Sequence, residues 1–314
     1  FRVFITVSTA AITRNDPIRE HPHSVVVTEG GWAHFTCAIK LPGMIRWRIG
    51  DFENNASVYN SLNTEEQYRG NDLRVEQAWL QGLTGCNITV SVVDDGIDFR
   101  HPDLWPNFAP SASFDHLAGE NYQHRHGTRR CGVVAGAQDN STCGVGVAHQ
   151  CNLRSIKLLD GGGRTDLEEA EALSYAVDII DVYSNSWGPY DTGAHVSGPG
   201  TLTQDVFKMG ATIGRNGKGS IYVWAGGNGG DEDDCGYVSS IYTIAVGAIG
   251  VDGHASSFDE QCCAKMVVAY VTNKNGHMAI VTTDPGRKCT LKFGGTSAAT
   301  PMVSGAIALA LEVK

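Results

Sequence analysis

The spacing of apolar residues changes character along the chain. From about residue 75 onward, short runs that are apolar nearly throughout alternate with longer runs in which apolar residues return every three or four positions. "NITVSVVDD" (87–95) is of the first kind and predicts a strand covered on both faces. "HGTRRCGVVAGA" (126–137) predicts a helix, "NLRSIKLLD" (152–160) a strand and "DLEEAEALSYAVDI" (166–179) an amphipathic helix. "DVYSNSWG" (181–188) is a strand, "TLTQDVFKMGATIG" (201–214) a helix, and "SIYVWAGGN" (220–228) and "YTIAVGAI" (242–249) are strands. "SAATPMVSGAIALALEV" (297–313) is the last helix. Strands alternating with helices imply βαβ units and a mostly parallel sheet. In such sheets, active groups sit at the carboxyl ends of the strands. No internal repeat is evident.

Residues 1–55 follow another pattern. "SVVVTEGGWAHFTCAIKLPGMIRWRIGD" (24–51) is two strand-like runs joined at "LPG". Cys37 followed by Trp47 is similar to the B-strand Cys and C-strand Trp of an immunoglobulin-like domain, although the later Tyr-x-Cys is absent. The expectation is an immunoglobulin-like β fragment over 1–55, with a plain β-hairpin as the other reading. "FRVFITVSTAAI" reads either as the tail of a signal peptide or as a strand.

Composition narrows the function. A chain of 314 residues suits one large domain, or one large and one small. A formal net charge of −10 argues against nucleic acid and is compatible with cationic ligands. Nine cysteines without a CxxC pair argue against a zinc site and for disulfides in an oxidising compartment. No stretch is long and apolar enough to span a bilayer.

Three polar residues then stand out by position. Asp94 ends a strand in "DDGID", His126 opens a helix in "HGTR", and Ser297 sits in "GTSAATP". A Ser hydroxyl needs a base, a neutral His is the suitable base near neutral pH, and a buried carboxylate fixes the His tautomer. The order Asp, His, Ser with these flanks is that of the subtilisin-like serine proteases. "VWAGGNGG" places Asn228 in a glycine-rich turn directly after a strand, where its amide can donate to a developing oxyanion. The other reading gives Asn228 only a left-handed turn.

"VSVVDDGIDFRHPDL", "RHGTR", "CGVGVA", "YSNSWGP", "GSIYVWAGGNGG", "GYVSSIYTIAVGA", "IVTTD" and "GTSAATP" together resemble the proprotein convertases, the kexin and furin branch of the subtilases. The resemblance runs over residues 60–314. It implies a three-layer subtilisin-like α/β fold with a mostly parallel central sheet over 56–314, beside the small N-terminal β segment. It implies Asp94, His126 and Ser297 as the triad, Asn228 as the oxyanion donor, and cleavage of secretory precursors after Arg or Lys. An acidic chain is independently suited to steering a basic segment into its cleft.

The resemblance also implies roles for other acids. Asp191 would face the arginine before the cut, Asp95 the next pocket and Glu169 a more distant one, with Trp187 among the substrate-binding residues. Calcium is implied at two places. Asp103 and Asn140 with the carbonyls of Ala137, Thr142 and Gly144 match one site; Asp191, Asp234 and Glu260 match a second, where Asp234 also reads as a solvated acidic turn. These are the hard oxygen ligands that calcium takes. Cys143 would pair with Cys289, and Cys235 with Cys262, with Cys263 a competitor. A secretory-vesicle, Golgi-lumenal or extracellular location follows.

The chain departs from the family at several positions. Gln123 replaces an acid near the candidate His, Tyr190 and Ser197 replace acids of the specificity loop, and Arg130 stands where the family has Cys, with Cys131 following. Neither a propeptide nor the last helices and following β-sandwich of the family is visible, so the expectation is a peptidase domain with an incomplete C-terminal end. Two other readings stand beside the protease: an inactive or truncated convertase homologue, and an immunoglobulin-type binding protein with a protease-derived tail.

Overall fold

The computed structural model describes residues 7–8, 34–35, 72–115, 124–159, 163–188, 198–230, 235–272 and 280–313. Of the N-terminal segment it gives β1 (Val7–Ser8) and β2 (His34–Phe35), paired antiparallel. Cys37 and Trp47, on which the immunoglobulin-like reading rests, lie outside the described residues.

The remaining elements are α1 (Glu76–Trp79), β3 (Thr89–Asp94), β4 (Phe114–Asp115), α2 (Arg125–Ala135), β5 (Asn152–Lys157), α3 (Asp166–Ser174), β6 (Val182–Asn185), α4 (Thr201–Gly217), β7 (Ile221–Ala225), β8 (Thr243–Gly250), β9 (Val267–Thr272), β10 (Ile280–Asp284), β11 (Lys288–Phe293) and α5 (Thr296–Glu312). Seven strands form one sheet in the order β4-β5-β3-β6-β7-β8-β9. Every neighbouring pair in it is parallel. β10 and β11 form a separate antiparallel pair.

The near-continuous apolar strands are explained by two cores, one on each face of this sheet. Val90 and Val92 of β3 belong to the core shared with α2 and α5, whereas Val93 belongs to the core with α3 and α4. Val223 and Trp224 of β7 divide in the same way. The result is the expected three-layer α/β arrangement. The sheet order also brings the carboxyl ends of β3, β6 and β7 side by side, since Val93 registers with Asn185 and Asn185 with Trp224.

Two features differ from the pattern reading. α3 stops at Ser174, because Tyr175 is extended and Ala176 takes a positive φ, so "YAVDI" is a turn. α4 leaves helical geometry at Gly214–Asn216, where Arg215 and Asn216 are left-handed, in keeping with the expected end at Gly214. β9 and the β10–β11 pairing have no counterpart in the pattern reading; of Lys288–Phe293 only Phe293 is buried, and the segment carries no clear apolar alternation.

Candidate active site

Asp94 is the last residue of β3 and is fully buried. His126 is the second residue of α2, half-buried, and its Nδ1 lies 2.9 Å from Asp94 Oδ2 and 3.0 Å from Oδ1. A backbone device sets this approach. Asp95 is spent on the N-terminus of α2: its Oδ2 accepts from the His126 N–H at 3.1 Å and its Oδ1 from the Gly127 N–H at 2.7 Å. These are two of the amides that a helix start leaves unsatisfied. Gly127 is required there, since a Cβ would sit 2.1 Å from the Gly96 carbonyl oxygen.

Asp94 has a second cationic partner. Arg130, one turn further along α2 and wholly buried, donates from Nη1 to Asp94 Oδ2, and from Nη2 to the Ser184 carbonyl at 2.9 Å. Burial by itself would raise the Asp94 carboxyl. The charges of His126 and Arg130, with hydrogen bonds from His126 and the Asp95 N–H, overcome burial and hold it well below the usual carboxylate range. The neighbouring Asp95 is pushed up by burial and by the Asp94 charge.

Ser297 lies in the first turn of α5, behind Gly295 at φ 75°. From Phe293 to Thr300 every residue except Ser297 is buried. The Pro in this turn has a structural consequence: Pro301 has no N–H to offer the Ser297 carbonyl four residues back. Ser186 donates to that carbonyl instead, at 3.5 Å, tying the Ser297 backbone to the end of β6. Phe293 sets its ring edge-on to His126, with centroids 6.1 Å apart, so the segment leading into α5 also touches the His.

Asn228 follows β7 and is exposed. Its Oδ1 accepts from the Thr296 N–H at 2.9 Å and the Thr296 hydroxyl at 3.1 Å. With the carbonyl end held, the amide N–H end is turned away from Thr296. Asn228 and Ser297 line one cavity of about 240 Å³ together with Trp187, Trp224, Gly226 and Tyr237. Trp187 is buried in its wall, donating to the Val93 carbonyl at 3.1 Å. Glu169 is buried behind that wall, accepting from Tyr237 Oη at 2.6 Å and from Arg164 Nε at 3.2 Å. Arg164 also lies over the Trp187 ring at 4.7 Å. A substrate cation would therefore meet Glu169 only by displacing Arg164.

A second polar site lies beyond α2. Asp103 is fully buried, and its Oδ1 accepts from Asn140 Nδ2 at 2.8 Å. Its Oδ2 has no hydrogen-bond partner, and burial pushes the carboxyl up to about 7. A buried, half-satisfied carboxylate is the kind of oxygen ligand that a hard cation takes, whereas Asn140 turns its NH2 onto Asp103 and its Oδ1 accepts from the Thr142 N–H at 2.9 Å, so its amide would have to turn over to serve as a ligand. The loop is tightly curled, with Asp139, Ser141 and Cys143 all at positive φ. Among the described residues no three His, Cys, Asp or Glu side chains cluster as a metal site; this place has one carboxylate, with Asn140 and the carbonyls of Ala137, Thr142 and Gly144 as its other candidates. Of the second candidate cation site only Glu260 is described, buried, with Oε1 accepting from the Gly229 N–H at 2.9 Å. Asp191, Asp234, Gln123, Tyr190 and Ser197 lie outside the described residues.

A model of the subtilase family matches residues 85–314. The chain belongs to the subtilase family. Among curated proteins, this subtilase is 42% identical over 257 residues to "Neuroendocrine convertase 2" of Homo sapiens, covering 77% of the chain and 40% of that protein. It is 42% identical over 254 residues to "Proprotein convertase subtilisin/kexin type 4" of Mus musculus, covering 77% of the chain and 39% of that protein. The chain thus spans about two-fifths of the length of these relatives. The solved serine protease of Aeromonas sobria has the same fold, with a TM-score of 0.67 at 24% identity over 77% of the chain and 50% of that structure.

The subtilase forms both expected disulfides, Cys143–Cys289 and Cys235–Cys262. Cys263 is free and exposed, so it has not displaced its neighbour. The first bond ties the curled loop to β11, four residues before Phe293. Sequence reading missed two residues. Thr296, inside "GTSA", fixes the Asn228 amide; a hydroxyl next to the candidate nucleophile was its only signal. Arg130 was noted only as a one-position displacement of Cys, and its partner could not be known before α2 was placed against β3. Cys131, rotated away, is buried in the core among aliphatic side chains.

Proposed function

We propose that this subtilase is a calcium-dependent serine endopeptidase that cleaves precursor proteins after basic residues, in the lumen of the secretory pathway or outside the cell. The observation that carries the reading is the His126–Asp94 pair at the carboxyl edge of the sheet, together with the cavity that Ser297 and Asn228 both line. In the proposed reaction Ser297 Oγ attacks the scissile carbonyl and His126 Nε2 takes its proton. Asp94 holds the ring through Nδ1 and stabilises the imidazolium, and later His126 returns the proton to the leaving amine. The Asn228 amide donates to the oxyanion, a contribution of about 3 to 4 kcal/mol.

Specificity rests on the two matched convertases and on the acidic balance of the chain. Asp191 is proposed to face the arginine before the cut and Asp95 to border the next pocket. Asp95 already serves α2, and Gln123 lacks the charge that would assist it. A peptide library scanned at both positions therefore gives a strong Arg preference immediately before the cut and a weaker basic preference one residue earlier. Asp191→Asn lowers turnover of Arg substrates roughly 100-fold or more, because it leaves the guanidinium unpaired. Gln123→Asp sharpens the second preference. A wild type that hydrolyses Ala and Arg peptides equally well refutes the specificity, and one that demands two basic residues refutes the role given to Gln123.

Calcium is proposed at Asp103, Asn140 and the carbonyls of Ala137, Thr142 and Gly144, and at Asp191, Asp234 and Glu260. At Asp103 it would supply the positive charge that the buried carboxylate lacks. Excess chelator lowers the melting temperature by about 5 to 10 °C, for a cation held near a hundred times its dissociation constant. Asp103→Asn removes most of that difference. A melting temperature indifferent to chelator refutes the assignment.

A further inference from the structure

A buried arginine shares the carboxylate of the candidate triad. Arg130 and Asp94 are each wholly inaccessible. Asp94 Oδ2 accepts from Arg130 Nη1 and from His126 Nδ1 at once. The guanidinium is itself anchored: Nη2 meets the Ser184 carbonyl at 2.9 Å and the Ser184 hydroxyl at 3.2 Å. Ser304 Oγ lies 2.9 Å from Ser184 Oγ and 2.9 Å from the Thr300 carbonyl, and its single proton is donated to one or the other. A polar chain thus runs from Asp94 through Arg130 and β6 into α5, the helix that carries Ser297. It crosses a core that includes Val92, Val182, Val223, Ala299 and Val303.

A serine-type triad draws on its carboxylate when the imidazole takes the Ser proton and becomes cationic. An unshared Asp stabilises that cation fully. A second cation on the same oxygen offsets part of the negative charge, and in a dry site at close range the interaction is weakly screened. We propose, on the triad reading above, that Arg130 is a positioning residue that shares the Asp94 charge and attenuates acyl transfer at Ser297. Other charged or titratable groups near the pair come from several elements. Asp95 lies at the end of β3, with His124 Nδ1 2.6 Å from its carbonyl oxygen. Lys157 of β5 is the register partner of Asp94 and is buried. Cys131 adjoins Arg130 on α2. None of these contacts Asp94 Oδ2 as Arg130 does, so the guanidinium is the group to remove.

The test compares wild type, Arg130→Met, Arg130→Lys and Ser297→Ala across pH 5 to 9. The readouts are hydrolysis of an Arg ester and the rate of Ser labelling by a fluorophosphonate, with the melting temperature as a fold control. In Arg130→Met the plateau kcat/KM rises about tenfold and the acidic midpoint of the profile moves up by about one to two pH units, the size of a unit-charge interaction at these distances. Arg130→Lys, which keeps a cation, stays near wild type. A purely structural Arg130 would lower the melting temperature of Arg130→Met and leave the midpoint of the folded fraction where it was, and that result overturns the proposal. So does an Arg130→Lys that behaves like Arg130→Met. Labelling that persists in Ser297→Ala overturns the triad reading and this inference with it. Labelling lost in Ser297→Ala but identical between wild type and Arg130→Met overturns the inference alone. The wild type also carries a direct measurement, independent of whether the variants fold. The His126 Nδ1 proton resonance should step only slightly downfield on acidification, and the large step of an unshared imidazolium–carboxylate pair would refute the sharing.

Discussion

Ser297→Ala abolishes peptide hydrolysis, with a loss of roughly a million-fold in kcat, while leaving the fold intact. The expectation rests on where the hydroxyl sits. Ser297 is the one residue of 293–300 that is not buried, and the contact that anchors it, from Ser186, is made to its carbonyl rather than to its hydroxyl. Removing one oxygen therefore costs little packing, and surface-like substitutions of this kind stay within about 0.5 kcal/mol. The size of the rate loss follows from the logic of a unit in which base and carboxylate have nothing to act on once the nucleophile is gone. Steady-state hydrolysis and thermal unfolding of the purified variant decide it: turnover unchanged beside an unchanged melting temperature removes Ser297 as nucleophile.

Asp94→Asn has two large effects, and they separate. Activity falls about 10⁴-fold because the amide cannot hold His126 in the tautomer that accepts from Ser297. Stability falls as well, by about 3 to 5 kcal/mol, because Arg130 is left in the core as a cation without a counter-charge. Its remaining partners would be the Ser184 carbonyl and hydroxyl and the Val93 carbonyl, all neutral. Asp94→Asn combined with Arg130→Met restores the denaturation midpoint and leaves the rate low. Equilibrium unfolding in denaturant reads the first effect and kcat/KM the second. An Asp94→Asn variant as stable as wild type would mean that the Arg130–Asp94 ion pair contributes nothing to the fold.

Much of this arrangement was legible in the sequence, for identifiable reasons. β3, β7 and β8 are covered on both faces and largely apolar, so they announce themselves and their carboxyl ends, while β5 (NLRSIK) and β6 (VYSN) are read from their place in the alternation of strands and helices. Asp94 and Asn228 sit at or just beyond two of those ends, and the register of the central strands then places them along one edge. α5 was legible because its small residues pack from Thr296 to Leu309 with scarcely a break. What stayed hidden depends on contacts between distant segments. Pro301 sits inside the expected last helix, and only the proximity of Ser186 shows how the Ser297 carbonyl that it leaves free is used. Arg130 reads as one of two adjacent arginines in the expected helix, standing where the family has Cys, and only the docking of α2 on β3 shows that it is buried. Asp95 carries the same chemistry as Asp94, yet one position along the strand end turns it onto the helix backbone instead of the imidazole ring. β11 escaped because its side chains are largely exposed, so no alternation marks it.

The two disulfides also order the assembly of the chain in time. Cys235 and Cys262 are 27 residues apart, whereas Cys143 and Cys289 are 146 apart. Closing the longer loop in an unfolded chain costs about 1.5 kcal/mol more entropy, but the greater obstacle is geometric. The intervening segment contains β5 to β10, and the two sulfurs meet only where the curled loop after α2 has come against β11. The short bond can close on a local hairpin of chain. The long one needs the loop after α2 brought against β11 across β5 to β9 of the sheet and β10 of the hairpin, so its closure depends on far more of the fold being in place. A newly made chain in which Cys143 still reacts with a thiol reagent is a chain whose folding is incomplete, and the same reagent distinguishes nascent from mature molecules in a mixed pool.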